Sequence, residues 1–323
     1  MKILITGGSG FIGTNLIEKL LLREDKILNL DIRQPKIHSH FAYWQKCNLM
    51  NYDELEKIVK GFGPEHLIHF AARTDVEGKH IDDYSINIIG TKNLINALII
   101  TDVKRVIFTS TQFVHQNHGT LLNDDDYAPH TIYGESKVEM EKLIKKSDVS
   151  FCWTIIRPTN IWGPWHPRYP YEFWKVLAEG KYFHPDAQNV FRSYGYVGNV
   201  VWQIEKILEL PEEKVNKKVL YVGDRPIELY DWVNGFSNAL IRKDVRKVPK
   251  SLVKSLALFG DLLKSVKIPF PITSSRYKSM TSSNPVQMDK TFELLGDPSY
   301  TLKEGIAETV DWFKIHFPKL IKS

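Results

Sequence analysis

The sequence predicts an α/β protein built on a doubly wound parallel sheet, and three features carry that prediction. Short, nearly continuous apolar runs recur through the first half of the chain. Longer stretches with helical spacing separate them, and a glycine-rich turn joins the first run to the first helical stretch.

The runs are "KILIT" from Lys2, "KILNLD" from Lys26, "HLIHFAA" from His66, "RVIFTST" from Arg105 and "WTIIRP" from Trp153. Strands buried on both faces of a parallel sheet read this way. In the first helical stretch Ile12, Leu16, Ile17, Leu20 and Leu21 form an apolar stripe. In another, Asn51 is placed to cap "YDELEKIVKG", with Asp53 and Glu54 favourably set in the first turn. After "IWGPWHPRYPYEF" the rhythm breaks, with prolines and aromatics crowded between Trp162 and Trp174. A helical piece from Val197, the strand "KKVLYVG" and a mostly helical C-terminal third follow. The expected organisation is a dinucleotide-binding domain over residues 1–165 with a return segment at 194–217. A smaller, mostly helical C-terminal substrate domain is expected from residues 166–193 and 218–323, covering the strand ends where such folds bind ligands.

Composition sets limits. Of 323 residues, 43% are hydrophobic and 25% charged, an ordinary globular balance. No apolar run approaches the roughly 20 residues that span a bilayer, so no membrane span is expected. "MKILITGG" is too short an apolar run for a signal peptide. The net charge of +5 is mild and no like-charge block suggests a nucleic-acid partner. Cys47 and Cys152, the only cysteines, support neither a disulfide framework nor a zinc site. No metal is expected, and the cytoplasm is the expected compartment. "SLVKSLALFGDLLKSVKI" is amphipathic and reads as a packed helix, its polar face being short of cations for a membrane-surface role.

In "TGGSGFIG" the glycines Gly7, Gly10 and Gly13 stand three apart, between strand and helix. They permit a tight turn, admit a pyrophosphate to the backbone and let the helix pack on the sheet, while the helix N-terminus offers N–H groups to the anion. Asp31 ends the second run, eighteen residues after Gly13. A carboxylate there accepts hydrogen bonds from a ribose 2′-hydroxyl and repels a 2′-phosphate, which favours NAD over NADP, with nearby Arg33 softening the choice. Further on, "TIYGESKVEM" sets Tyr133 four residues before Lys137, one helical turn apart on one face.

These pieces, with "HFAA", "NIIGT", "FTSTQFV" and "RPTNIWGP" in order, resemble the extended short-chain dehydrogenase/reductases, particularly the nucleotide-sugar epimerases and dehydratases. The resemblance covers almost the whole chain. It implies that Tyr133 is the catalytic acid or base, assisted by Thr111, with Lys137 as its modulator and as a holder of the nicotinamide ribose. A free tyrosine titrates near ~10, and a cation one helical turn away together with a positively charged nicotinamide is expected to lower that value. The cofactor is expected to be NAD, bound by Gly7, Gly10, Phe11, Ile12, Gly13, Asp31, Asn48, Leu49, Phe70, Ala71, Ala72, Thr74, Tyr133, Lys137 and Pro158. Asn160, Arg192 and Arg276 match positions that contact a nucleotide-diphosphate sugar. The family pairs two long helices per subunit into a four-helix bundle, so a homodimer is expected. Its matching segments are "DDYSINIIGTKNLINALII", with Ile88, Thr91, Ile95 and Leu98 along one face, and "TIYGESKVEMEKLIKK".

Departures from the family narrow the chemistry. Gln112 and Phe113 stand where dehydratases carry an Asp-Glu pair, and Phe113 where GDP-sugar epimerase-reductases carry a cysteine. Dehydration and carbon-acid epimerisation at C3 or C5 are therefore disfavoured, which leaves hydride chemistry. The expected activity is NAD-dependent epimerisation at C4 through a transient 4-keto intermediate. A nucleotide-sugar 4-ketoreductase or dehydrogenase, or a steroid-type dehydrogenase, is the alternative. His115 and His69 read as a turn residue and a buried strand residue. For Trp162 and Trp165, stacking on a ligand and aromatic packing stay open.

Overall fold

The computed structural model describes residues 1–115, 123–187, 189–268 and 270–321. The chain forms two compact units. The first comprises Met1–Ile161, Val197–Gly223 and Gln287–Ser299, and the second Trp162–Tyr196, Asp224–Val286 and Tyr300–Ser323.

The first unit opens with strand β1 (Lys2–Thr6), helix α1 (Phe11–Leu20) and strand β2 (Lys26–Asp31). Strand β3 (Trp44–Lys46), helix α2 (Tyr52–Phe62) and strand β4 (His66–His69) come next. Helix α3 (Thr91–Ile99), strand β5 (Arg105–Thr109), helix α4 (Ile132–Lys146) and strand β6 (Cys152–Pro158) complete the alternation. A seventh strand, Lys218–Val222, pairs parallel with β6, so the chain returns to the sheet through residue 222 and not only to 217. Every pairing in this sheet is parallel, and the order seventh strand–β6–β5–β4–β1–β2–β3 reverses direction between β4 and β1. In open α/β sheets the ligand crevice lies at that switch, beyond the strands' carboxyl ends.

Apolar runs make this sheet because both faces are covered. Leu4, Leu30, Leu67, Val106, Phe108 and Ile155 pack against Leu55 and Val59 of α2 and Leu94 and Leu98 of α3. Each such side chain stabilises by roughly 1.5–3 kcal/mol when fully buried. Asn51 caps α2 by accepting from the Glu54 amide, as its position predicted. The helix Val197–Glu209 is tied to the sheet by Arg105 of β5. Its guanidinium donates to the carbonyls of Ile207 and Leu208 at 2.6 Å and of Leu210 at 2.8 Å, satisfying the helix C-terminus.

One expectation changes here and one open reading is resolved. Thr91, Ile95 and Leu98 of the stripe read as subunit-facing are buried within the first unit, with Ile88 half-buried, and the exposed side of α3 carries Lys92, Asn96 and Ile99 instead. Trp162 is fully buried in the second unit, where its ring meets Tyr196, Trp232 and Phe236 at 5.0–6.0 Å, so it is a packing residue. Trp165 packs edge-on against Trp312 and His316.

Candidate active site

The carboxyl ends of β1, β2, β4, β5 and β6 assemble one site within the first unit. At β1 the chain turns through Gly7, whose φ of +73° suits glycine, and a Cβ there would stand 2.5 Å from the Ala71 amide nitrogen. At Gly13 a Cβ would stand 2.5 Å from the Gly8 Cα, so glycine lets α1 sit down on the turn. Gly10 is the N-cap of α1 and brings no side-chain cap, leaving the first-turn amides of Ile12 and Gly13 without intrahelical acceptors. Phe11 stands in the same turn.

Asp31 ends β2 as a nearly buried carboxylate. One oxygen accepts from the Ser9 amide at 3.1 Å and the other from the Arg33 amide at 2.9 Å, which locks it beside the glycine turn. The Arg33 Nε is 3.9 Å away. Each carboxylate oxygen has a further lone pair to offer a hydroxyl. Beyond β3 lie Asn48, accepting from the Met50 amide, and Leu49, whose carbonyl takes the Asn93 amide. Beyond β4 the amides of Phe70 and Ala71 bond the carbonyl and hydroxyl of Thr6. Ala72 is half-buried and Thr74 exposed in the loop that follows.

Asn87, which the sequence did not single out, fastens this loop to the helix bearing Tyr133. Its side chain accepts from the Arg73 amide at 2.9 Å and donates to the Arg73 carbonyl at 3.1 Å and to Ser136 Oγ at 2.9 Å. Its only sequence signal was membership of "NIIGT".

Helix α4 starts where Thr131 Oγ1 accepts from the Gly134 amide at 3.0 Å, placing Tyr133 in its first turn. Tyr133 is buried beneath Phe113, whose ring meets it edge-on, and hydrogen-bonds Thr111 at the end of β5. Lys137, one turn on, donates through Nζ to the Thr109 carbonyl at 2.8 Å and contacts Met140 Sδ at 3.4 Å. Thr111, Tyr133 and Lys137 thus converge at the β5 end.

Burial dominates their electrostatics. Burial pushes the Tyr133 phenol up to about 12, with the Thr111 hydrogen bond opposing and Tyr84 adding to the rise. Burial also pulls Lys137 down to about 7, with Glu141 opposing. In the chain alone burial dominates, and Lys137, itself desolvated, donates to a backbone carbonyl; the expected lowering draws on a nicotinamide charge as well. The chain's own groups keep Tyr133 protonated.

A second unforeseen feature holds α4 in place. Glu141, one turn past Lys137, forms a fully buried ion pair with Arg157 of β6, with Nε to Oε1 at 2.9 Å and Nη2 to Oε2 at 2.7 Å. Pro158 follows directly at the strand end. Gln112 donates to Asn160 Oδ1 at 3.0 Å, joining the position after Thr111 to the expected substrate contact. Buried polar atoms without partners collect at these strand ends: Ser110 Oγ, Gln112 Oε1 and Thr159 Oγ1. An uncapped helix start, an acid at the β2 end and orphaned donors and acceptors beyond β5 and β6 fit a dinucleotide and a hydroxylated substrate.

Two remaining residues belong to the second unit. Arg192 is buried, donates to the Ser279 carbonyl and has an unpartnered Nε. Arg276 lies on the same helix as Ser279, Ser274–Thr281, and donates to the Pro271 carbonyl at 3.0 Å. His69, as expected, is a buried strand residue, clasped by Thr6 Oγ1 at 2.6 Å and Thr91 Oγ1 at 2.9 Å.

The family model described as NAD dependent epimerase/dehydratase matches residues 3–223. A similar protein of Escherichia coli O157:H7, N-acetyl-alpha-D-glucosaminyl-diphospho-ditrans,octacis-undecaprenol 4-epimerase, is 27% identical, covering 98% of this chain and 97% of that one. The 3beta-hydroxysteroid-dehydrogenase/decarboxylase isoform 1 of Arabidopsis thaliana is 28% identical, covering 96% and 79%. Among solved structures, the UDP-glucuronic acid 4-epimerase of Bacillus cereus, in complex with UDP-glucuronic acid and NAD, superposes with a TM-score of 0.72. It is 20% identical and covers 98% of this chain and 100% of that one, which shows a shared fold.

Proposed function

Because the chain belongs to the NAD dependent epimerase/dehydratase family, we propose that it reversibly inverts C4 of a nucleotide-diphosphate sugar through a transient 4-keto sugar. The observation that carries this reading is the Thr111–Tyr133–Lys137 convergence at the β5 end, with Gln112 and Phe113 beside it. Neither an amide nor a phenyl ring can act as a general acid or base, so these two positions offer no second proton transfer beside that of Tyr133.

NAD, when bound, supplies a hydride acceptor that can return the hydride. The residues proposed to hold it are Gly10, Phe11, Ile12 and Gly13 at the pyrophosphate and Asp31 at the ribose. Gly7, Asn48, Leu49, Phe70, Ala71, Ala72, Thr74 and Pro158 form the rest of the cradle, and Lys137 stands at the nicotinamide ribose. Tyr133 exchanges a proton with the sugar's 4-oxygen, and Thr111 orients that oxygen. Tyr133, its phenol raised by burial, carries the proton that the carbonyl oxygen takes up as hydride returns. Acting as a base, it needs more positive charge than the chain itself supplies. Asn160 is the proposed sugar contact, and Arg192, with its unpartnered Nε, the proposed diphosphate contact. A symmetric homodimer through the exposed sides of α3, which carries Lys92, and of α4, which carries Glu135 and Glu139, completes the proposal.

A substrate carrying deuterium at C4 tests the chemistry. The label is expected in the C4-inverted product, with no solvent deuterium at C3 or C5. Loss of water, solvent label at those carbons, or stoichiometric use of added NADH would overturn it. The last outcome would favour a one-way reductase or dehydrogenase, a reading supported by the similarity to the Arabidopsis steroid dehydrogenase.

A further inference from the structure

The segment read as a packed helix is only half packed. Helix Lys250–Ser265 buries Val253, Ala257 and Gly260 along one side. A Cβ at Gly260 would stand 1.9 Å from the Ile272 carbonyl oxygen, so this side lies hard against the chain that follows. The opposite side is also apolar, and it is bare. Leu252, Leu258, Phe259, Leu262 and Val266 are all at least half exposed, Leu262 to 64%. At 100° per residue the four within the helix fall in one arc of about 120°, centred opposite the buried side and shared with Ser251 and Ser255, and Val266 follows at the helix end. Scattered exposed leucines need no explanation, but a contiguous row on one helix does.

Charge identifies what covers it. Residues 242–278 hold ten Lys and Arg against Asp244 and Asp261, whereas the remainder of the chain has more acids than bases despite the overall +5. Of these cations, Lys250, Lys254 and Lys264 stand on the helix itself: Lys254, one turn before Leu258, borders the row, and Lys264 falls on the opposite side. Two copies meeting on this face would bring two such positive segments together, which opposes self-association. The bare row also leads into a cleft. Phe259 contacts Phe270 edge-on at 5.8 Å, and Phe270 lines an opening of about 790 Å3. Its wall joins Ile268 to Lys264, Arg276 and the hydroxyl groups of Thr273 and Ser275. Apolar residues beside two cations and several hydroxyls suit a phosphate that carries a hydrocarbon chain.

We propose that this helix lies in the surface of an anionic phospholipid bilayer, its bare row among the acyl chains and the Lys264–Arg276 cleft, set back from that row, at the level of the lipid phosphates. No helix among the described residues is long and apolar enough to cross a membrane. The attachment is therefore of the in-plane kind, in which apolar burial and attraction to anionic headgroups act together.

The full-length protein sedimented with vesicles tests this without any turnover, so its failure is distinct from failure of the epimerase reading. Binding is expected to vesicles of phosphatidylcholine with roughly one-third phosphatidylglycerol, weakly or not at all to phosphatidylcholine alone, and to fall as salt is raised. Leu258→Asp with Leu262→Asp should lower the partition coefficient by about tenfold or more, and Lys254→Glu with Lys264→Glu should abolish the preference for anionic vesicles. These positions are exposed, and unchanged circular dichroism would establish that the variants fold. Wild-type protein left in the supernatant, or binding unaltered by the two aspartates, would overturn the proposal. So would a wild type that pairs in light scattering while the aspartate variant does not, since a second copy would then cover the face.

Discussion

Lys137 donates through Nζ to the Thr109 carbonyl at 2.8 Å while sitting fully buried one turn below Tyr133. The pairing fixes the ammonium at the β5 end but does not repay its desolvation, and the lysine is pulled from 10.5 down to about 7. A depressed folded-state value means that stability is complete above the unfolded value and is lost as pH falls through the folded one. Between about 7 and 10.5 the unfolded chain binds the extra proton, so stability rises with pH across that window.

Lys137→Met should therefore do two opposite things. In the protein freed of dinucleotide it should raise stability at pH 7, by an amount on the order of a few kcal/mol, with the gain shrinking to nothing near pH 10.5. Turnover should fall in the same variant. Thermal melts of both proteins across pH 7–10 check this, and parallel melting curves at every pH would show that Lys137 bears no such burden.

Tyr133→Phe removes one hydroxyl and leaves the ring that packs against Phe113 and Tyr84. Turnover should drop by ~10²–10⁴, the scale of one general acid–base group, with NAD affinity nearly unchanged. Steady-state kinetics beside a dinucleotide titration separates the two effects. Wild-type turnover would assign the proton transfer to another residue.

The features that were legible in the sequence are local. Gly7, Gly10 and Gly13 at a strand–helix junction, Asp31 at a strand end and Tyr133 ahead of Lys137 are spacings that a fold of this kind imposes on neighbours in the chain. The features that were hidden depend on distant partners. Strand Trp44–Lys46 has three residues and too little alternation to announce itself. Glu141 reads as one more helical acid until Arg157 arrives from another strand. The apolar spacing of residues 250–265 reveals a helix with an apolar side, but only packing tells which side is covered. Spacing likewise supplies the proximity of Tyr133 and Lys137, whereas the burial that shifts both groups depends on partners distant in the chain.

Asp31→Ala, with Arg33 retained, should shift preference from NAD towards NADP. The carboxylate held by the Ser9 and Arg33 amides is the group that repels a 2′-phosphate, and its removal leaves a cation nearby. The ratio of the two dissociation constants is the quantity to measure. A ratio equal to the wild type would mean that another residue reads the ribose.

The Arg157–Glu141 pair makes the last prediction. Both side chains are almost completely buried, and Arg157 also donates to the Asp124 carbonyl at 2.7 Å while Glu141 accepts from the Tyr127 hydroxyl at 2.9 Å. Arg157→Met strands a carboxylate in the interior, which should cost about 3–5 kcal/mol in denaturant unfolding. Pairing it with Glu141→Leu removes the stranded charge and should recover much of that loss. Turnover should not recover with it, because α4 is then no longer drawn to β6 at the turn below Lys137, and Tyr133 and Lys137 ride on that helix. Unfolding midpoints and turnover of the single and double variants decide the matter. A double variant that regains both stability and activity would show the ion pair to be dispensable for positioning the site, and one that regains neither would place its value in the hydrogen bonds to Asp124 and Tyr127.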